Sequence, residues 1–124
     1  MQRILFLFYL SISLILAQNK DEIYETLSSQ IKSAKLDAIK KTLEKGIDFT
    51  YAPEGKSSLL TVAVYAKQYE IVKLFIANGA DLNSMEGGFQ GTAIMYAAYN
   101  NDIKMVDLLL SLGADINQRD GSYG

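Results

Sequence analysis

The sequence predicts an all-α solenoid of about three stacked helix pairs. Three observations carry that expectation. First, Leu74-Phe75-Ile76-Ala77-Asn78-Gly79-Ala80-Asp81-Leu82-Asn83 returns as Leu108-Leu109-Leu110-Ser111-Leu112-Gly113-Ala114-Asp115-Ile116-Asn117, with Gly79 and Gly113 at matching places. Second, a fainter copy, Lys41-Thr42-Leu43-Glu44-Lys45-Gly46-Ile47-Asp48, sets Gly46 at nearly the same interval before Gly79. Third, apolar residues precede each glycine at helical spacing, as with Met105, Leu108, Leu109 and Leu112 at i, i+3, i+4 and i+7. A period of about 33–34 residues marks units too small to close a core alone, which bury their apolar faces by stacking.

The chain opens differently. Arg3 supplies a positive start, and Ile4 to Leu16 is an apolar run interrupted only by Ser11 and Ser13. Ala17 then gives way to the polar Gln18-Asn19-Lys20-Asp21-Glu22. A basic start, a short apolar centre and a small residue at the cut are the parts of a secretory signal peptide. A membrane-spanning helix needs roughly 20 apolar residues, so the run is short for one. Residues 1–17 are therefore expected to be a signal cleaved after Ala17, with export to the periplasm or the exterior. The alternatives are an uncleaved anchor formed by residues 4–16 or a buried core helix.

Each unit then follows one plan. The first, about residues 21–50, starts at Asp21, continues through Ile31, breaks at Ser33-Ala34-Lys35 and resumes from Leu36 to Lys45, with Gly46 as its stop. Its many lysines suit a terminal unit with one face in water. The second, about 51–83, has Ser58 as cap, a helix from Leu59 to Ala66 and a break at Lys67-Gln68. Ile71, Leu74 and Phe75 then face inward, and Tyr69 joins the core because its counterparts are Leu36 and Ile103. The third, about 84–117, has Thr92 as N-cap, its hydroxyl placed to accept from the first turn. A helix through Tyr99 follows, then the polar break Asn100-Asn101-Asp102 and a helix from Ile103 to Leu112. Gly113 stops it by reaching the left-handed conformation, and Asp115 and Asn117 begin a turn. Residues 118–124 look like the opening of a further unit. No polar closing unit follows them, so the last unit's free face is expected to be covered by another chain, or the protein is a truncated or naturally shortened member of its kind; the plainer alternative is that the last unit simply tolerates exposure.

These residues resemble the ankyrin repeat family, whose units open on Thr-Pro-Leu-His-x-Ala-Ala and close on Gly-Ala-Asp-x-Asn. The closing is intact at Gly79, Ala80, Asp81 and Asn83, and again at Gly113, Ala114, Asp115 and Asn117. The Thr and paired Ala of the opening stand as Thr92, Ala97 and Ala98. The family's Pro is Leu59 in one unit and Ala93 in the next, and its loop-tying His is Thr61 and Met95. The resemblance spans about residues 21–124. It implies an ankyrin solenoid with hairpin-like loops, and first helices looser than in an idealised array.

Composition narrows the function. The 124 residues carry 12 basic and 14 acidic side chains, no His and no Cys. A weakly acidic chain lacks the basic footprint of a nucleic-acid binder. Without imidazole or thiol, the commonest acid–base, nucleophile-activating and metal-binding sets are missing. Gly87-Gly88 lacks the strand and the Lys-Ser/Thr pair of a phosphate loop, and Asp81, Asp115 and Asp120 fall in separate turns rather than in one oxygen-rich loop. Neither a cofactor nor a metal is expected, and the chain is not expected to be an enzyme. The resemblance implies a protein-binding module that meets its partner with loop tips and the outer side of the first helices. Read onto this chain, those positions are Tyr65, Tyr99 and Asn100, with Phe89, Tyr51 and Glu54 in the loops. Tyr65 and Tyr99 hold equivalent places in successive units and stand in register. Tyrosine anchors interfaces by burying large area at low entropy cost. The plainer alternative is that the rings only cover seams between units. A structural role, with copies stacking through the last unit, is the second functional reading.

Overall fold

Ser, Gly and polar breaks punctuate the apolar pattern, and the helices form between them. The computed structural model describes residues 2–86 and 90–118, without the side chains of Gln2 and residues 6–18. Among the described residues there are six α-helices: α1 (Gln2–Lys32), α2 (Leu36–Glu44), α3 (Leu59–Tyr65), α4 (Tyr69–Ala77), α5 (Ala93–Tyr99) and α6 (Ile103–Ser111). They pack as the pairs α1/α2, α3/α4 and α5/α6. Helix α3 lies between α1 and α5, and α2 packs on α4, so first helices form one layer and second helices the other.

Helix α1 differs from the sequence expectation. The apolar run and the first unit's opening helix form one unbroken helix of 31 residues rather than two segments. The reason is local. No Gly or Pro lies between residues 2 and 32, and Leu, Gln, Lys and Glu sustain a helix. Among the described side chains of α1, Tyr24, Leu27 and Ile31 (i, i+3 and i+7) are buried, all 4% exposed or less. Arg3, Ile4 and Leu5 are exposed. Among the described residues no helix is long and apolar enough to cross a membrane.

All six helices stop on a residue in the left-handed region, and the stops alternate in type. Gly46, Gly79 and Gly113 have φ of 72°, 97° and 102°, while Ala34, Lys67 and Asn101 have φ of 55–56°. At Gly79 the Ala80 N–H donates to Phe75 O at 3.0 Å and the Gly79 N–H to Ile76 O at 3.1 Å. The same pair of bonds recurs around Gly113, Ala34, Lys67 and Asn101. This double bond satisfies carbonyls the helix leaves open. The polar breaks of the sequence are thus helix stops as well.

The two N-caps predicted at equivalent places in successive units behave differently. Ser58 Oγ accepts from the Thr61 N–H at 3.2 Å, as expected of a cap. Thr92 is extended (φ −88°, ψ 168°), but its side chain caps nothing. Its Oγ1 is buried and has no hydrogen-bond partner among the described residues. The Thr92 N-cap expectation is therefore corrected. Only the backbone carbonyl of Thr92 serves the helix, accepting from the Tyr96 N–H at 3.1 Å.

One continuous core runs through the stack. Its largest fully buried side chains include Phe75, Leu27, Ile31, Ile39, Met105 and Leu109. Ile71 and Phe75 point inward as predicted, and Leu74 is half-buried. Phe49, from the turn after the first unit, stacks on Phe75 with centroids 5.2 Å apart. Tyr69 is half-buried rather than fully in the core; it lies at the seam with the third unit, where its hydroxyl donates to Asp102 Oδ1 at 3.0 Å. Its counterpart Ile103 is 69% exposed.

Candidate functional site

Tyr65 and Tyr99 are the last residues of α3 and α5 and occupy equivalent places in the second and third units. Helix α3 packs beside α5, so the two rings follow one another along one side of the stack. Tyr65 is 45% exposed and Tyr99 82%. The Tyr65 ring leans on Tyr96 of the next unit, with centroids 5.5 Å apart and a 47° tilt. Burial pushes the Tyr65 hydroxyl above its ordinary pKa, and Tyr96 and Tyr99 add to the shift. Tyr65 therefore combines seam-covering and exposure, whereas Tyr99 leaves most of its ring free. Asn100 caps the end of α5 beside Tyr99 and is half-buried.

The loop residues divide. The Tyr51 hydroxyl donates to Asp21 Oδ1 at 2.6 Å, and Lys20 Nζ lies 5.5 Å from its ring centre. That hydrogen bond is the main cause of its raised pKa. Tyr51 thus fastens its turn to α1 and is not a free anchor. Glu54 is exposed in the turn at Gly55, where φ is 77°. Gly87, Gly88 and Phe89 lie outside the described residues, as do residues 119–124 with Asp120 and Tyr123. The loop that holds Phe89 is closed by Glu86 and Gly91, whose N–H and C=O groups exchange two bonds of 3.0 Å.

Glu86 was not singled out by the sequence, yet it organises this region. Its carboxylate accepts from Ser58 Oγ at 2.9 Å and from the Ser58 N–H at 3.2 Å. Its carbonyl accepts from the Tyr96 hydroxyl. Glu86 thereby ties the loop of the third unit to the cap of the second. That is the loop-tying task the resemblance assigns to a His, a position held here by Thr61 and Met95. Thr61 contributes its backbone N–H to the same node. No short motif marks Glu86. Its only signal is an acidic residue in the lead-in to a unit, well downstream of a serine cap.

Asp102 is a second unpredicted node. It is buried at the start of α6, where Oδ1 accepts from the Met105 N–H at 3.1 Å and from the Tyr69 hydroxyl. Lys104 Nζ sits 4.4 Å from the Tyr69 ring centre. Burial raises the Tyr69 pKa first, and the bond to Asp102 and its charge add to that.

The repeat-defining residues have turn and packing roles. Asp48, Asp81 and Asp115 each accept, at 2.9 Å, from the N–H two residues on. Each carboxylate thus closes a local turn. Asn83 Oδ1 accepts from the Asp115 N–H at 2.8 Å and joins second unit to third. Of the paired alanines, Ala97 is buried and Ala98 exposed; Ala80 and Ala114 pack against the core. A cleft of about 280 Å³ opens beside Phe49, Ser58, Gly79, Asp81 and Glu86, and its acidic groups are already spent on Ser58 and the Asp81 turn. Among the described residues no group of His, Cys, Asp and Glu is arranged to hold a metal ion.

No curated protein matches the chain. A family model for ankyrin repeats, in three copies, matches residues 14–120. Ankyrin repeats are generally protein–protein interaction modules and typically non-catalytic. Three helix pairs in two layers, two intact Gly-Ala-Asp-x-Asn closings and this match agree: the chain belongs to the ankyrin repeat family.

Proposed function

We propose that this chain is an exported, non-catalytic binding module that docks a protein partner on the ridge formed by Tyr65 and Tyr99. The observation that carries the reading is the 82% exposure of Tyr99 in register with the half-exposed Tyr65. A large ring held on a helix end and left uncovered is a prepared anchor: it offers area at low entropy cost, with a hydroxyl at its tip. Asn100 and Glu54 supply polar rim contacts. Tyr51 is left out of the contact set, since Asp21 holds it.

The sequence supports export through the basic start, apolar run and Ala17 of residues 1–17. Cleavage after Ala17 leaves Tyr24, Leu27, Ser28 and Ile31, which are buried among the described side chains of α1, in the mature chain. It also leaves Asp21 and Glu22 near the new helix start, where negative charge is favoured. The test has two parts. Mass spectrometry of the protein recovered from its host reads the N-terminus; a chain still beginning at Met1 overturns cleavage. A partner captured from the envelope or secreted fraction is then titrated with the Tyr65→Ala/Tyr99→Ala variant. A loss of affinity of about tenfold or more, with helical content unchanged, is expected of two anchor residues. Unchanged affinity assigns the partner to another face.

A further inference from the structure

We infer that the partner docked on Tyr65 and Tyr99 presents a short acidic segment, in which carboxylates flank an apolar side chain; this rests on the binding role proposed above and names the chemistry of its partner. The first helices end in a row. Lys32, Tyr65 and Tyr99 are the last residues of α1, α3 and α5, and α3 lies between the other two. Lys35 and Lys67 stand in the turns that follow α1 and α3. All three lysines are exposed, and among the described residues none of them makes an ion pair.

Charge is segregated along this edge. Residues 26–36, 59–69 and 92–101 hold these lysines and no Asp or Glu. The chain as a whole is formally −2, so a positive edge is set against an acidic remainder. The nearest acidic groups are engaged or set apart. Glu25 pairs with Lys56 at 3.6 Å, and Glu70 with Lys73 at 2.9 Å. Asp102 is buried and accepts from the Tyr69 hydroxyl and the Met105 N–H. Asp37 belongs to the first turn of α2, in the other layer. Glu54 precedes α3, at the opposite end of that helix from Lys67.

Two effects select the occupant. The rings reward an apolar or aromatic side chain by the area it buries, and the unpaired lysines reward carboxylates on either side of it. Each exposed charge pair contributes little alone, but complementary charge steers encounter and rejects like-charged segments. Screening confines the lysines' attraction to about 8 Å at physiological ionic strength. A short segment lying along the edge stays within that range. A nucleic acid or an anionic membrane extends past it and meets the acidic remainder.

The test selects a displayed library of random dodecapeptides on the full chain. Selected peptides should be rich in Asp and Glu around an aromatic or aliphatic residue. They are then synthesised and titrated against the parent, Tyr65→Ala/Tyr99→Ala, Lys32→Glu/Lys67→Glu and the milder Lys32→Gln/Lys67→Gln, with circular dichroism verifying each fold. The tyrosine variant should lose about tenfold or more in affinity. The Glu pair should lose about tenfold and the Gln pair about threefold, and both losses should shrink as salt rises. If the Glu pair unfolds, the Gln pair decides. Binding that needs the tyrosines but ignores both lysine pairs overturns the inference and leaves the tyrosine ridge standing. Binding that needs the lysines alone overturns the ridge and, with it, the partner's apolar anchor; binding that needs neither overturns both. The inference also falls if no peptide is selected or if the selected peptides are not enriched in acid. It falls equally if the lysine substitutions weaken binding to phosphatidylglycerol vesicles or single-stranded DNA more than binding to the peptides.

Discussion

Replacing Thr92 with Val is expected to stabilise the domain, while replacing Ser58, its counterpart in the preceding unit, with Ala destabilises it. Ser58 Oγ accepts from the Thr61 N–H and donates to Glu86 at 2.9 Å. Ser58→Ala loses a cap, at about 1 kcal/mol, and a charge-assisted hydrogen bond, at about 1 kcal/mol where the carboxylate keeps some solvent. The combined loss is about 2 kcal/mol. Thr92 Oγ1 is buried with no partner among the described residues, on a residue 0% exposed. An unpaired buried hydroxyl costs roughly 1–3 kcal/mol. Val keeps nearly the same shape, suits the extended backbone at Thr92 and removes that cost. A gain of about 1 kcal/mol follows, or ~4–8 °C in Tm for a domain of this size. Thermal unfolding followed by far-ultraviolet circular dichroism reads both variants. A Thr92→Val variant less stable than the parent by about 1 kcal/mol contradicts this account. It would mean that the hydroxyl has an acceptor, and Asp120, which stands to the third unit as Glu86 stands to the second, holds the matching place in the sequence.

Two further outcomes follow. Lys67 occupies the same left-handed stop that Gly79 does, with φ of 56° against 97°, so Lys67→Gly should gain about 0.5–1 kcal/mol, and Gly79→Ala should lose about 1 kcal/mol. A Cβ at Gly79 meets no atom within 4 Å, so the loss is conformational; urea titration checks both, and a stabilised Gly79→Ala sinks the account. The pKa values of Tyr24 and Tyr65 are raised, chiefly by burial; the folded state then keeps protons that the unfolded chain has released above about pH 10. Their contribution is full below that pH and falls as pH rises through the higher folded values. Urea midpoints taken on both sides of about pH 10 should show this decline, and Tyr24→Phe should soften it.

The parts of this fold legible in the sequence were those with a one-dimensional signature. Gly46, Gly79 and Gly113 announced helix ends because glycine favours the left-handed backbone. The spacing of Ile71, Phe75, Met105 and Leu109 announced the core face. What escaped was what depends on a neighbouring unit. Thr92 and Ser58 look alike as caps; among the described residues Ser58 is paired with Glu86, and the Thr92 hydroxyl has no partner. Asp102 read as a polar break, although Tyr69 of the preceding unit makes it a buried acceptor. Lys67 and Ala34 hid their left-handed backbone because neither residue type advertises it. Of the candidate surface, Tyr65 and Tyr99 end successive first helices at the repeat spacing, whereas Tyr51 is held by Asp21 across 30 residues of sequence, a contact no local pattern encodes.

Apolar and polar contacts divide the work of the seam between the second and third units. Apolar burial drives stacking but is non-directional; a slide by one helical position loses little of it. The seam between second and third units is fixed by contacts that tolerate no slide: Ser58 to Glu86, Tyr69 to Asp102 and Asn83 to the Asp115 N–H. Each joins groups 28–33 residues apart, and each leaves a polar group stranded if the register shifts. On the third unit, Ile103 takes the place of Tyr69 and contributes no hydroxyl. The third unit's outer face keeps the driving force of an ankyrin seam while losing one of its register marks.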